Sequence, residues 1–254
     1  MKVWAGAVEL RVLAAGRGAP LVYLHAYHER GGWPACLDRL AERFTVYAPY
    51  HPGVQGSQGV ESLDDVADLT LAYDELLGAL GLASAHLVGH GFGGMMAAEL
   101  AATVPLRARK VVLVSPLGLW RDDLAGEDIL VLPEHELGAV LWKDPHSDAA
   151  RRWATLPEAD ADNVAAQIES IQRRAAMAKF VWPIADKGLR KRLHRLTAPT
   201  LVLWGDADRA NPPGYADEWK RRVPGARVKV MPGGHMLIHE SPDATARAVR
   251  EFLS

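Results

Sequence analysis

The sequence predicts an α/β fold with a mostly parallel sheet flanked by helices. Five short, nearly continuous apolar runs suggest it, because strands buried on both faces of a sheet read this way. They are Leu21–His25, Thr45–Ala48, Ala85–Gly89, Lys110–Val114 and Pro199–Trp204, rich in β-branched or aromatic residues and followed by turn formers. Helical spacing between the runs is the second observation, since strands alternating with helices give right-handed parallel crossovers. A third is a single long break in the alternation, residues 117–195, with helical and irregular patterns but no strand.

Along the chain, Val8 to Val12 alternates imperfectly and is expected to enter the sheet antiparallel. Ser62-Leu63-Asp64-Asp65 resembles a capping box with Asp65 in the Glu/Gln position. After it Val66, Leu69, Tyr73, Leu76 and Leu80 recur at helical spacing, and Gly81 stops the helix. The small residues of 97–102 suit a helix packed closely on a sheet, and Pro242 to Phe252 reads as a last helix. Residues 1–116 and 196–254 are expected to form the core, and 117–195 a helical lid over a pocket. Trp120, Trp142, Trp153, Phe180 and Trp182 are scattered through that insertion.

Composition limits the function classes. The chain has 254 residues, is 49% hydrophobic and 24% charged, and carries a net charge of −2. Disorder and fibrous repeats are excluded, and no electrostatic ground exists for nucleic acid or an anionic membrane as partner. The single cysteine, Cys36, forms no internal disulfide, no stretch approaches a membrane span, and the start lacks a signal-peptide pattern. A cytoplasmic location and a small-molecule partner are expected; the oligomeric state is left open.

Leu87-Val88-Gly89-His90-Gly91-Phe92-Gly93-Gly94-Met95 follows a strand and opens a helix. Glycines flanking a central residue suit the sharp turn of a nucleophile elbow, G-x-S-x-G, but the centre here is Gly91, which supplies no attacking atom. Gly89, Gly91 and Gly94 also fit G-x-G-x-x-G. However, three strands precede the loop and Ser115 stands where a dinucleotide site places an acid. Downstream, Asp206 and Asp208 follow a buried strand, and His235 lies on a glycine-rich loop 27 residues after Asp208. The order nucleophile site, acid, histidine is the order of this elbow fold.

On these motifs, with Leu24-His25, 48–53 and Glu240-Ser241-Pro242, the chain resembles the α/β-hydrolase superfamily, particularly its small lidded esterases and carbon–carbon-bond hydrolases. That resemblance implies a cofactor-free enzyme with Asp208 as acid, His235 as base, and the amides of Tyr27 and Phe92 as oxyanion donors. Asp206 is then structural. The chain departs from the family at Gly91, at Ala26 where a glycine is usual, at the bulky Tyr27 and His28, and at 52–57.

A carboxylate-oriented histidine remains a competent acid or base, whereas an acyl-enzyme needs a side-chain nucleophile. Three readings follow: hydrolysis by a water or proton transfer through Asp208–His235 on an ester or ketone-type carbonyl, a silent ligand-binding protein, or a serine hydrolase with Ser replaced by Gly at 91. His25, His28, Tyr50, His90, Trp142, Met177, Phe180 and Trp182 are the expected pocket residues. His25 and His90 have an alternative as loop braces, and Tyr27 or Tyr50 as auxiliary proton donors. A metal on His28, His51 and His235 matches no zinc spacing, so no metal is expected. Arg151-Arg152, Arg173-Arg174 and the basic residues of 187–195 are expected on a solvated lid surface, with carboxylate binding by one arginine as the alternative.

Overall fold

The computed structural model describes residues 1–30, 33–155 and 159–254, leaving 156–158 of the insertion outside the description. Its centre is a seven-stranded sheet of order β3-β5-β4-β6-β7-β8-β9. These strands are β3 (Val12–Ala15), β4 (Ala19–Leu24), β5 (Phe44–Pro49), β6 (Ala85–His90), β7 (Ala108–Val114), β8 (Thr200–Gly205) and β9 (Arg227–Met231). All pair in parallel except β3, antiparallel to β5. The antiparallel edge is thus Val12–Ala15. Val8–Glu9 (β2) instead pairs with Lys2–Val3 (β1) in a separate two-stranded ribbon.

Side-chain alternation splits the core into two layers. Leu21, Tyr23, Val46, Val88, Val112 and Leu203 pack against α1 (Ala35–Ala41) and α9 (Pro242–Leu253). Val22, Leu24, Leu87, Val111, Val202 and Trp204 face the opposite way, toward α2 (Val66–Ala79), α3 (Phe92–Thr103) and α7 (Tyr215–Arg222). Both faces are covered, which is why the central strands read as continuous apolar runs.

Asp65 itself caps α2, accepting from the amides of Ala67 at 2.8 Å and Asp68 at 3.0 Å. Asp68 accepts from the amide of Asp64, the residue before the cap, so the helix starts three residues later than the sequence pattern indicates. At the other end Gly81 adopts φ +71°, its amide bonds Gly78 and that of Leu82 bonds Leu77. Both bonds together make a Schellman stop.

Between β7 and β8 the chain forms α4 (Glu134–Leu141), α5 (Asp148–Ala154) and α6 (Asp160–Val181). The short α8 (Leu237–Glu240) follows β9. Strand order reverses between β5 and β6, which flank β4, and such a switch point opens a crevice at the carboxyl ends of the strands. The loops after β4, β6, β8 and β9 converge there.

Candidate active site

The tight turn after β6 exists because two neighbours lack side chains. A Cβ on Gly93 would lie 2.0 Å from the Leu24 carbonyl oxygen, and one on Gly89 2.2 Å from that of Gly93. Gly91, at φ +53° and ψ −115°, precedes α3. A Cβ built there would lie 3.1 Å from His235 Nε2 and 3.1 Å from the Ala26 methyl.

The acid and the histidine arrive from β8 and β9. His235 Nδ1 donates to Asp208 Oδ2 at 2.9 Å, and both side chains are almost wholly buried. Asp208 Oδ1 accepts from the Asn211 amide at 2.8 Å, while the Asn211 side chain bonds the Pro116 carbonyl. These contacts fix the carboxylate and present the far nitrogen of His235 to position 91. Asp206 is exposed: it bonds the Gly233 amide at 3.1 Å and pairs with Lys143 of the insertion at 2.9 Å. The Lys143 ammonium, then the Gly233 amide, hold its carboxyl below the usual range. Glu240 accepts from the Gly234 amide at 2.7 Å and the Lys143 amide at 2.7 Å, so the histidine loop is tied on both sides.

Among the described residues, the backbone amides of Tyr27 and Phe92 donate to no other protein group. Both residues are buried, and their rings meet at 4.8 Å.

His25 and His90 serve as braces rather than as pocket groups. His25 Nδ1 donates to the Ala26 carbonyl at 2.9 Å, and its Nε2 accepts from the His51 amide at 3.2 Å. His51 in turn donates from Nε2 to the His25 carbonyl at 2.8 Å and meets the Tyr73 hydroxyl with Nδ1. His90 points Nδ1 at Glu29 Oε1 and Nε2 at the His235 carbonyl, each at 2.7 Å. Tyr50 is buried against His25, ring to ring at 5.7 Å.

The insertion's expected pocket residues separate. Phe180 packs on Phe92 at 6.2 Å. Met177 lines a cavity of about 110 Å³ with Leu117, Ile129, Asp128, Asn211 and Tyr215. Leu117 borders the elbow directly, its amide bonding the Gly91 carbonyl at 3.0 Å. Trp142 is buried against Trp153 and His239 behind the histidine loop, beside an outer groove. Trp182 is 48% exposed and faces away, because it lies just past the end of α6 and turns outward. Arg173 corrects the expectation of a solvated surface: it is 6% exposed, with Glu169 as its ion partner at a loose 3.7 Å. Burial lowers its pKa.

Residues 18–248 match the profile of the alpha/beta hydrolase family. The chain belongs to that family. It is 28% identical over 262 residues to 2-hydroxy-6-oxo-6-phenylhexa-2,4-dienoate hydrolase of Burkholderia cepacia, spanning 94% of this chain and 89% of that protein. It is likewise 28% identical over 260 residues to Lipase 1 of Psychrobacter immobilis, covering 93% and 77%. A thermophilic esterase from Thermogutta terrifontis superposes with a TM-score of 0.77 at 21% identity, over 100% of this chain and 97% of that one. The family member described here gathers the loops after β4, β6, β8 and β9 on one rim of its sheet.

Sequence reasoning missed Glu29. Its Oε1 accepts from the Tyr23 hydroxyl at 2.6 Å, the Ala26 amide at 2.8 Å and His90 at 2.7 Å, in the buried rim of the family fold. Burial pulls this carboxyl up, but hydrogen bonds and charge from His239 and His90 outweigh it and hold the pKa well below the usual value. A glutamate between His28 and Arg30 looks like a surface loop residue; only a folded β4–β6 pair brings it to His90. Among the described residues no cluster of three or more His, Cys, Asp or Glu could hold a metal.

Proposed function

We propose that the protein hydrolyses a small ester or ketone-type carbonyl compound with an Asp208–His235 pair and a water in place of a side-chain nucleophile. The observation that carries this reading is the buried 2.9 Å Asp208–His235 contact, with the second ring nitrogen directed at Gly91. A group that served only to bind a ligand would have no need of an imidazole oriented by a carboxylate.

In this reading His235 Nε2 takes a proton from water as the water oxygen bonds to the carbonyl carbon. The carbonyl π pair moves to oxygen, and the Tyr27 and Phe92 amides receive that charge, helped by the N-terminus of α3. Collapse restores the carbonyl, and the imidazolium returns its proton to the leaving oxygen or carbon. Asp208 keeps the ring in the tautomer that presents a lone pair at Nε2. Without a covalent intermediate, acceleration of about 10³–10⁴ over water is the scale expected from such donors and binding.

The insertion acts as the lid. The cavity at Leu117 and Met177, whose lining mixes apolar residues with Asp128 and Asn211, takes a small arm of the substrate. Arg173, inward-facing and loosely paired, supports an anionic group on the substrate's other side; by its name the Burkholderia relative acts on a dienoate.

The test compares the native protein, His235→Ala and Gly91→Ser on activated esters and on ketones with a carboxylate arm, with a serine-reactive phosphonate read by intact mass. Native turnover abolished by His235→Ala, and single labelling of Gly91→Ser alone, are expected. Turnover indifferent to His235→Ala would sink the proposal in favour of ligand binding.

A further inference from the structure

The longest helix of the insertion, α6, is apolar on two opposite sides. Ala176, Met177 and Phe180 are buried on the inner side. On the outer side Val164, Ile168 and Ile171 are 56%, 50% and 63% exposed. Residues four and three apart on a helix stand one above the other, and Ala175 and Ala178 continue the line. At 3.6 residues per turn all five fall within about 40° of one direction, opposite Phe180. Single exposed apolar side chains are ordinary on a surface, but a contiguous line of them marks a contact. A helix with apolar residues all round belongs in an interior, whereas the outer side of α6 faces solvent in the single chain.

The line advances every 3.5 residues, the repeat of a coiled-coil seam, which a second helix fills knob into hole. A second copy of α6 running antiparallel matches it. In a two-fold contact residue i meets j and j meets i, so the sum of the two numbers is constant along the seam. With Ile168 set against the partner's Ile171, the same rule sets Val164 against the partner's Ala175. The large residues then meet in the middle, and each valine meets an alanine toward the ends. Gln167 and Gln172 flank the seam without charge, so no like charges are brought together. At each end Lys179 comes to the partner's helix start, which is acidic in sequence at Asp160 and Asp162, and antiparallel helix dipoles attract side by side. A lipid surface fits less well. Helices that lie on membranes carry Lys and Arg along their polar face, whereas the flanks here are glutamine on a chain of net charge −2.

We propose that the protein forms a two-fold dimer through the outer side of α6, antiparallel, with Ile168 and Ile171 of both copies at its centre. Three half-exposed branched side chains and two alanines per copy bury on the order of 600–800 Å² in all, below the roughly 1,200 Å² at which standard interfaces begin. The dimer is therefore reversible, with a Kd of about 10–100 μM, rather than permanent. In it the two insertions stand back to back. Their outer sides brace each other, while Phe180 stays on Phe92 and Met177 on the cavity beside Leu117.

Sedimentation velocity from about 1 to 500 μM reads the association, and the native protein should pass from monomer to dimer across that range. Ile168→Glu/Ile171→Glu should raise Kd at least about 30-fold. Its thermal melt at low concentration should stay within about 3 °C of native, because both positions are exposed. Register is read by cysteine cross-linking with copper–phenanthroline, since the single native cysteine, Cys36, is buried. Val164→Cys mixed with Ala175→Cys should give the mixed disulfide-linked dimer. Val164→Cys alone should give none, because its two sulfurs lie about 16 Å apart along an antiparallel seam. Self-linking of Val164→Cys overturns the antiparallel pairing. A native protein still monomeric at the top of the range, or a dimer indifferent to Ile168→Glu/Ile171→Glu, overturns the interface. A native monomer that floats with phosphatidylcholine vesicles, and a double variant that does not, would overturn it in favour of lipid.

Discussion

Any side chain at position 91 should destabilise this protein, and Ala26 should be the reason in part. The Gly91 backbone, at φ +53° and ψ −115°, lies where a residue with a Cβ is strained by about 1–3 kcal/mol. The added carbon would also sit 3.1 Å from both the Ala26 methyl and His235 Nε2, inside the roughly 3.5–4.0 Å that carbon pairs prefer. A chain of this length moves its midpoint by about 2–4 °C per kcal/mol. Gly91→Ala should therefore lower Tm by about 2–12 °C. Ala26→Gly removes one of the two close contacts, so the Ala26→Gly/Gly91→Ala protein should be more stable than the two single changes sum to. A coupling of about 0.5–1.5 kcal/mol is expected for residues in direct contact. Calorimetry and urea unfolding of the four proteins provide the cycle. Additivity within about 0.3–0.5 kcal/mol, or a Tm that rises in Gly91→Ala, would refute the reasoning.

Asp208→Asn should lower kcat/KM on a hydrolysed ester by about 10²-fold or more, because the ring loses the acceptor that sets its tautomer; a variant keeping half its activity would contradict the assignment. Glu29→Gln should cost about 3–5 kcal/mol in urea unfolding, since it leaves the buried His90 ring without its carboxylate; a loss under 1 kcal/mol would mean that the network does not bear on stability. Stability should also fall as pH drops below about 6.5, because burial lowers the pKa of His25, His28 and His51 and the unfolded chain takes up protons there that the folded one refuses. Each contributes up to just over 1 kcal/mol per pH unit, and urea midpoints at pH 7 and pH 5 should draw closer together in His28→Phe. The depressed Glu29 carboxyl adds stability that is fully present above about pH 4.3 and is lost as pH falls toward its folded-state value.

Strands buried on both faces were plain in the sequence because nothing but apolar residues fits them. The edge strand β9 was not: Arg227, Val228, Lys229 and Val230 are exposed or half-exposed, so the run carries little apolar signal. Helix α1 was equally quiet, being seven residues long and starting at Pro34 without a side-chain cap. In the site, Asp208 and His235 were legible from chain order and turn chemistry. The bracing of loops by His25 and His90 was legible as a reading, but their partners were not, because these lie 26, 61 and 145 residues away. A tryptophan in an aromatic-rich insertion looks inward by composition. Only the end of α6 at Val181 turns Trp182 out.

Beside Gly91, much of the surrounding structure is organised around His235. Its carbonyl is held by His90, its loop amides at 233 and 234 by Asp206 and Glu240, and its Nδ1 by an Asp208 that Asn211 anchors. Glu29, Asp208 and His90 are buried, and burying a carboxylate costs several kcal/mol that only well-formed hydrogen bonds offset. Ala26 presents a methyl along the very direction in which a side chain at 91 would grow. The methyl on one loop and the missing side chain on the other are complementary in volume. A side chain at 91 would therefore press on the Ala26 methyl and on His235 Nε2, while the buried Asp208–His235 contact stays aligned.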